Sequence, residues 1–584
     1  MEIKYTTEKN ALILIRLLKE HNVKRIIISP GSTNICFAAS VQQDDFFEVY
    51  SAVDERSAAY MACGLAAETK EPVVISCTGA TASRNYMPAL TEAYYRHLPI
   101  IAVTSTQPSE RVGHNIPQVL DRSVIPNDIV NISVYLPLVI NNETEWTCIT
   151  RSNKALIEVK RNGGGPVHID LVTAYTPEFT VNELPSIRVI KHIGTESIFP
   201  DINMKYEKIA IFVGTHTRWS QELTQYVEIF CEKYNAVVLS DHTGNYMGKY
   251  GILANILCIQ NNYYADCRDI DLLIHLGEIS ASYLQINPKV VWRVHPDGEV
   301  KDTFKCMEYI FDMLETSFFK KYVLEKSNQC TKNLSYYKTW KAEIERINSK
   351  IPDLPFSNAW VAQHTASKLP SNSAIHFGIL NSFRTWNYFN LTKGVEGYCN
   401  AGGFGIDGGV SALVGASLSN PQKLYFGVIG DLAFFYDMNV LGNRHIKSNI
   451  RLIVINNGKG NEFRNYGNWG APFGEYADKF IAAAGHFGDK SPVLLKHYAE
   501  DLGFKYLYAR NKSEYLNILP QFLDKHYRQS PILLEVFTET QDESDSLKII
   551  CNLEKTVSSI AKDIVKETLG KRGTDTLKKI LRKK

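Results

Sequence analysis

Continuous apolar runs that end in polar, glycine-containing turns constrain this chain more than any other feature. Arg25-Ile26-Ile27-Ile28-Ser29 leads into Pro30-Gly31-Ser32, and Val73-Val74-Ile75-Ser76 leads into Thr78-Gly79. The same grammar returns at Ile209–Gly214, Leu272–Gly277, Leu424–Gly430 and Ile450–Asn456. Strands that are apolar throughout, rather than alternating, are buried on both faces; with helical patterns between them they predict parallel sheets covered by helices. At roughly 150 residues per domain, 584 residues leave room for three such units and a tail. The expected organisation is α/β, with three doubly wound parallel-sheet domains over 1–185, 186–345 and 346–545. A basic helical tail is expected over 546–584. Its end, Leu577-Lys578-Lys579-Ile580-Leu581-Arg582-Lys583-Lys584, suits an anionic membrane surface or an acidic partner, with a solvated terminus as the alternative.

Charge and composition narrow the function. Lys+Arg 64 against Asp+Glu 62 gives a net charge of +2, so no excess positive field is available for bulk binding to nucleic acid. No apolar run reaches the roughly 18 residues that a membrane span needs. The amino-terminal stretch reads as an amphipathic helix rather than a secretory signal. Eleven scattered cysteines without a CxxC pair predict buried free thiols and a cytoplasmic location.

Chemistry concentrates first in the third domain. Leu424–Ile429 ends in Gly430-Asp431-Leu432-Ala433, and Leu452–Ile455 ends in Asn456-Asn457. Both polar ends fall at carboxyl edges of parallel strands, where doubly wound sheets bind ligands. Asp431 and Asn457 are 26 positions apart, one helix plus one strand, so their oxygens can converge on one hard cation. Amides following Gly430 suit a diphosphate at a helix start. In the first domain, Glu55 opens a helix of small residues, Ser57 to Ala66, which suits close packing around an acid.

The Gly-Asp…Asn-Asn spacing resembles the cofactor motif of thiamine diphosphate (ThDP) enzymes, with Leu432 where the motif has a second Gly. That resemblance implies a Mg²⁺ ion held by Asp431, Asn457 and the Lys459 backbone carbonyl. It makes Glu55 the acid beside the aminopyrimidine ring. Ile28–Ser32, Asp54-Glu55-Arg56, Thr78–Ala89 and Gly405-Ile406-Asp407-Gly408 appear in order with Gly430-Asp431-Leu432 and Tyr436–Asn439. Together they are similar to the succinyl-enolpyruvyl-hydroxycyclohexene-carboxylate synthases of menaquinone biosynthesis, the MenD family, over about residues 10–540. The resemblance implies a pyruvate decarboxylase-like architecture of pyrimidine-binding, central and diphosphate-binding domains. It also implies a homodimer or homotetramer with sites formed between subunits. Further cofactor contacts are expected at Thr78, Asn381, Ser382, Ile406, Gly430, Leu432 and Ala433; Ile406 would be an apolar wedge, or else a plain core residue.

The family's arginines are replaced at several points. Thr33, Gln107, Ala401 and Trp386 stand where the family has guanidiniums for its anionic substrates, 2-oxoglutarate and isochorismate. Lost bidentate carboxylate sites predict a rebuilt pocket. Its expected lining is Ser32, Thr33, Gln107, Gln118, Arg384, Trp386 and Phe463, with Glu462 as a second acid or a solvated loop residue. The expected activity is ThDP- and Mg²⁺-dependent decarboxylation of a 2-oxo acid with transfer of the acyl unit to an acceptor, on substrates other than the family's. The alternatives are a simple decarboxylase, the menaquinone-type reaction itself, and a catalytically silent module.

Overall fold

The computed structural model describes residues 4–202, 206–282, 284–324 and 333–554. Residues 555–584 of the expected basic tail lie outside this range. Among the described residues, no helix is long and apolar enough to cross a membrane.

All three expected sheets are present, and within each described strand pair the strands run parallel. The first comprises β1 (Arg25–Ile28), β2 (Glu48–Ser51), β3 (Val73–Thr78), β4 (Ile100–Thr106), β5 (Ile132–Leu136) and β6 (Val167–Val172). The middle strands are β7 (Lys191–Ile193), β8 (Ile209–Val213), β9 (Ala236–Ser240), β10 (Gly251–Leu253), β11 (Asp269–Leu276), β12 (Asn287–Val294) and β13 (Met307–Phe311). The last sheet comprises β14 (Ala374–Phe377), β15 (Glu396–Cys399), β16 (Tyr425–Gly430), β17 (Ile450–Asn456), β18 (Lys505–Ala509) and β19 (Ile532–Phe537). The chain divides into two compact units. One holds residues 1–199 and 295–313, the other 200–294 and 314–584.

In the first unit the sheet order is β2-β1-β3-β4-β6-β5, and β13 pairs with β7. Every residue of β4 is buried, as an apolar strand covered by helices on both faces must be. One core lies under the helices Lys9–Glu20 and Asn142–Glu158, around Leu14, Leu18, Ile26 and Leu156. A second packs Ala58, Ala59, Ala62 and Ala66 of the helix Glu55–Thr69 against Val73 and Ile75 of β3. The small side chains bring that helix close to the sheet.

In the second unit β8–β12 are ordered β10-β9-β8-β11-β12, the order of dinucleotide-binding sheets. At its switch point, however, the loops after β8 and β11 fill the crevice. Glu278 N–H donates to the Thr215 carbonyl at 2.9 Å, and a Cβ on Gly214 would meet the Glu278 carbonyl oxygen at 1.9 Å. The last sheet runs β15-β14-β16-β17-β19-β18, the same winding as the first. Sequence patterning did not find β15 or β18. Both are edge strands, and only Gly397 and Ala509 in them are fully buried, so neither carries a continuous apolar run.

Candidate active site

The winding of the last sheet brings four strand ends to one edge. The chain leaves β14 towards β15 on one side and towards β16 on the other, so a crevice opens at the reversal. Gly430, the last residue of β16, pairs with Ile455 of β17, so Asp431 and Asn457 emerge side by side. One cavity at this edge gathers Asn381 and Ser382 from beyond β14, and Ile406 from beyond β15. Gly430, Asp431, Leu432 and Ala433 line it from β16; Asn457, Lys459, Glu462 and Phe463 line it from β17.

Asp431 is only 4% exposed, and among the described residues no Lys or Arg pairs with it. Burial pushes its carboxyl up to about 7, against backbone N–H groups of Leu432, Asn457 and Gly458 that pull it down. Beside it the Asn457 side-chain oxygen is buried and, among the described residues, has no hydrogen-bond partner. A desolvated carboxylate without a counter-ion next to an orphaned amide oxygen is a donor set that fits a hard divalent cation. The Lys459 carbonyl lies on the same turn, while its ammonium is turned to Asp478 at 2.9 Å. Asp431, Asn457 and the Lys459 carbonyl are the groups that would hold such a cation.

A network behind that turn was not legible in the sequence. Asn456 donates from Nδ2 to Glu535 Oε1 at 2.6 Å and accepts from the Gly458 N–H at 3.1 Å. Tyr506 O–H donates to Glu535 Oε2 at 2.6 Å. On the opposite wall, Asn358 also lines the cavity, and its backbone N–H donates to the buried Glu543 carboxylate at 2.8 Å.

Two pocket expectations change. Trp386 is fully buried, packs on Phe377, and donates from Nε1 to Asn358 Oδ1 at 3.1 Å. It is a core residue behind the cavity, because its helix, Asn381–Trp386, turns that face inward. Arg384, on the same helix, forms an ion pair with Glu462 at 2.7 Å, and Glu462 lines the cavity, so it is not a solvated loop residue.

The first unit builds its own edge. Glu55 is the first residue of its helix, capped by Asp54, which accepts the Ser57 N–H at 2.8 Å. Asn85 donates from Nδ2 to Glu55 Oε2 at 3.0 Å. Thr78 ends β3 against Gly31, where a Cβ would lie 2.0 Å from the Thr78 methyl carbon, so only glycine allows this approach. Thr33 is buried with its hydroxyl unpartnered, while Ser32 and Gln118 are exposed. Gln107 lines a cavity with Arg122 and Asp170, and the Arg111 guanidinium donates to its Oε1 at 2.6 Å. Asn85 belongs to the Thr78–Ala89 stretch of the resemblance, whereas Arg111 is a residue at this edge that motif spacing did not single out.

Comparison with known proteins bears on both edges. The family model described as "Thiamine pyrophosphate enzyme, N-terminal TPP binding domain" matches residues 9–125. A 2-succinyl-5-enolpyruvyl-6-hydroxy-3-cyclohexene-1-carboxylate synthase of Phocaeicola vulgatus is 30% identical over 561 residues, covering 93% of this chain and 98% of its own. The chain belongs to this synthase family. Synthases of the same name from Bacteroides fragilis and Christiangramia forsetii are 29% and 27% identical, over 568 and 595 residues. They are covered over 98% and 100% of their length, and they cover 93% and 95% of this chain. As a member of the synthase family the chain is a ThDP-dependent enzyme acting on a 2-oxo acid, of the decarboxylating and carboligating kind. The expectation of unfamiliar substrates fares less well than its alternative, the reaction for which these synthases are named.

Proposed function

We propose that this chain catalyses the reaction of the synthases it resembles. With ThDP and Mg²⁺, 2-oxoglutarate loses CO₂ and the remaining four-carbon unit is joined to isochorismate. The observation that carries this reading is the 30% identity across 93% of the chain, which leaves no catalytic domain unmatched.

The geometry supports it in two places where missing arginines argue against it. Gln107 accepts a guanidinium from Arg111, so positive charge is retained beyond β4 for a substrate carboxylate. Trp386 sits in the core, so it is not a neutral replacement inside the pocket.

Bound ThDP supplies the electron sink that lets the carboxylate leave as CO₂. Asp431, Asn457 and the Lys459 carbonyl hold the cation. Glu55, oriented by Asn85, holds the proton exchanged with the aminopyrimidine. Leu432, Ile406 and Phe463 give the cavity apolar walls. Arg384 holds Glu462 in place at the rim through their ion pair.

The reading includes assembly of like subunits. Trp469, Tyr476 and Phe480 are 94%, 93% and 84% exposed within one short segment, an apolar surface suited to burial in a homodimer. Buried, unpaired cysteines accord with a reducing cytoplasm.

The test is CO₂ release from 2-oxoglutarate, pyruvate and other 2-oxo acids, with and without ThDP, Mg²⁺ and isochorismate. Cofactor-dependent release from 2-oxoglutarate, with product formed only when isochorismate is present, is expected. Preferential turnover of pyruvate overturns the proposal and restores a rebuilt pocket.

A further inference from the structure

Three neighbouring strands of the last sheet are joined by side chains as well as by their backbones. Tyr506 on β18, Glu535 on β19 and Asn456 on β17 form a chain of hydrogen bonds, 2.6 Å at each Glu535 oxygen. Glu535 and Asn456 are 1% and 5% exposed, so water does not compete for these bonds. The chain ends on the turn itself, where Asn456 Oδ1 accepts the N–H of Gly458, a residue held at φ +75°. Asn457 and the Lys459 carbonyl lie on either side of that glycine. With its neighbour's amide tied down, the Asn457 oxygen is left buried and free of protein partners.

We propose that Glu535 is a positioning residue: acting through Asn456, it fixes the turn that presents Asn457 and the Lys459 carbonyl to a divalent cation. A carboxylate suits the task because it accepts from both sides at once. Its two oxygens fix Asn456 Nδ2 as the donor, which leaves Asn456 Oδ1 as the acceptor facing Gly458. Outer residues of this kind typically set metal affinity by about 10–100-fold. The inference rests on the cation site described above, which the experiment tests separately.

Mg²⁺ is titrated into full-length protein saturated with ThDP, read by tryptophan fluorescence and by calorimetry, without substrate. Glu535→Leu is expected to weaken Mg²⁺ binding by about tenfold or more. Glu535→Gln, whose amide oxygen still accepts from Asn456, is expected to stay within about threefold of wild type. Thr365→Val, which breaks the buried Thr365–Tyr515 bond of 2.7 Å elsewhere in the unit, lowers the melting temperature without moving Mg²⁺ affinity. If the leucine variant does not fold, Asn456→Ala removes the same link and carries the same expectation. Wild-type protein with no saturable Mg²⁺ response overturns the cation site, and the inference with it. A normal wild-type titration beside an identical one for folded Glu535→Leu overturns the inference alone.

Discussion

Asn85 donates a hydrogen bond of 3.0 Å to the Glu55 carboxylate, joining the turn beyond β3 to the first turn of the helix beyond β2. The acid is therefore placed by the two helices that follow β2 and β3. Glu55→Gln is expected to lower kcat by at least about a thousandfold while ThDP still binds, because proton transfer is lost and the shape is kept. Asn85→Ala frees the carboxylate to rotate and is expected to cost about tenfold in kcat. Steady-state rates with ThDP titrations on both variants check the pair; equal loss of ThDP binding in Glu55→Gln would contradict the assignment.

Asp431 and Asn457 are expected to fail differently from Glu55. Asp431→Asn removes the carboxylate of the cation site, and Asn457→Ala removes an oxygen that has no partner among the described residues. Either change should weaken Mg²⁺-dependent ThDP binding by about a hundredfold or more, seen by calorimetry as loss of the heat of ThDP binding. Stability without cofactor should rise in Asp431→Asn, since a buried carboxylate held near 7 is itself a cost.

Trp386 offers a contrast between core and pocket. Trp386→Phe leaves a void and strips Asn358 Oδ1 of its donor. The expected result is a loss of about 2–3 kcal/mol in denaturant unfolding, with KM for the 2-oxo acid within about twofold of wild type. A large KM change at unaltered stability would return Trp386 to the substrate wall.

His168 makes the first unit acid-sensitive. Its ring lies between Thr104 and Ser133, 2.7 Å from each hydroxyl, and Thr104 gives its own proton to Asp170 at 3.1 Å. Nε2 therefore carries the hydrogen and Nδ1 accepts from Ser133. Burial, aided by Arg122 and Arg84, lowers the imidazole to about 3. Between the unfolded value near 6.5 and about 3, the unfolded chain binds a proton that the folded one does not. Stability is thus full above pH 6.5 and falls by about 1.4 kcal/mol per pH unit below it. His168→Gln should flatten the pH dependence of the denaturant midpoint between pH 6.5 and 5 by that slope.

The sheets were legible because parallel strands write burial into the sequence as unbroken apolar runs; β4 and β17 are buried at every position. The juxtaposition of Asp431 and Asn457 was legible because both follow such runs, one helix plus one strand apart. Glu535 was not, since a lone carboxylate inside Ile532–Phe537 has no local pattern, and its partners lie 79 and 29 positions away. The orientation of Trp386 was hidden for a related reason. A six-residue helix is too short for periodicity to say which face turns inward. Substitution by position alone therefore overstated how far the pocket was rebuilt.

The first and last sheets share one winding, and their edges answer each other position by position. Beyond the first strand stand Ser32 in one and Asn381 in the other; beyond the second, Glu55 and Ile406; beyond the third, Ala80 and Asp431; beyond the fourth, Gln107 and Asn457. The proposed acid and the proposed cation ligands thus occupy different posts of one scaffold: Glu55 matches Ile406, while Asp431 and Asn457 match Ala80 and Gln107. The chain's specificity can drift by exchanging single residues at either set of posts, while the winding that keeps the posts in place remains untouched.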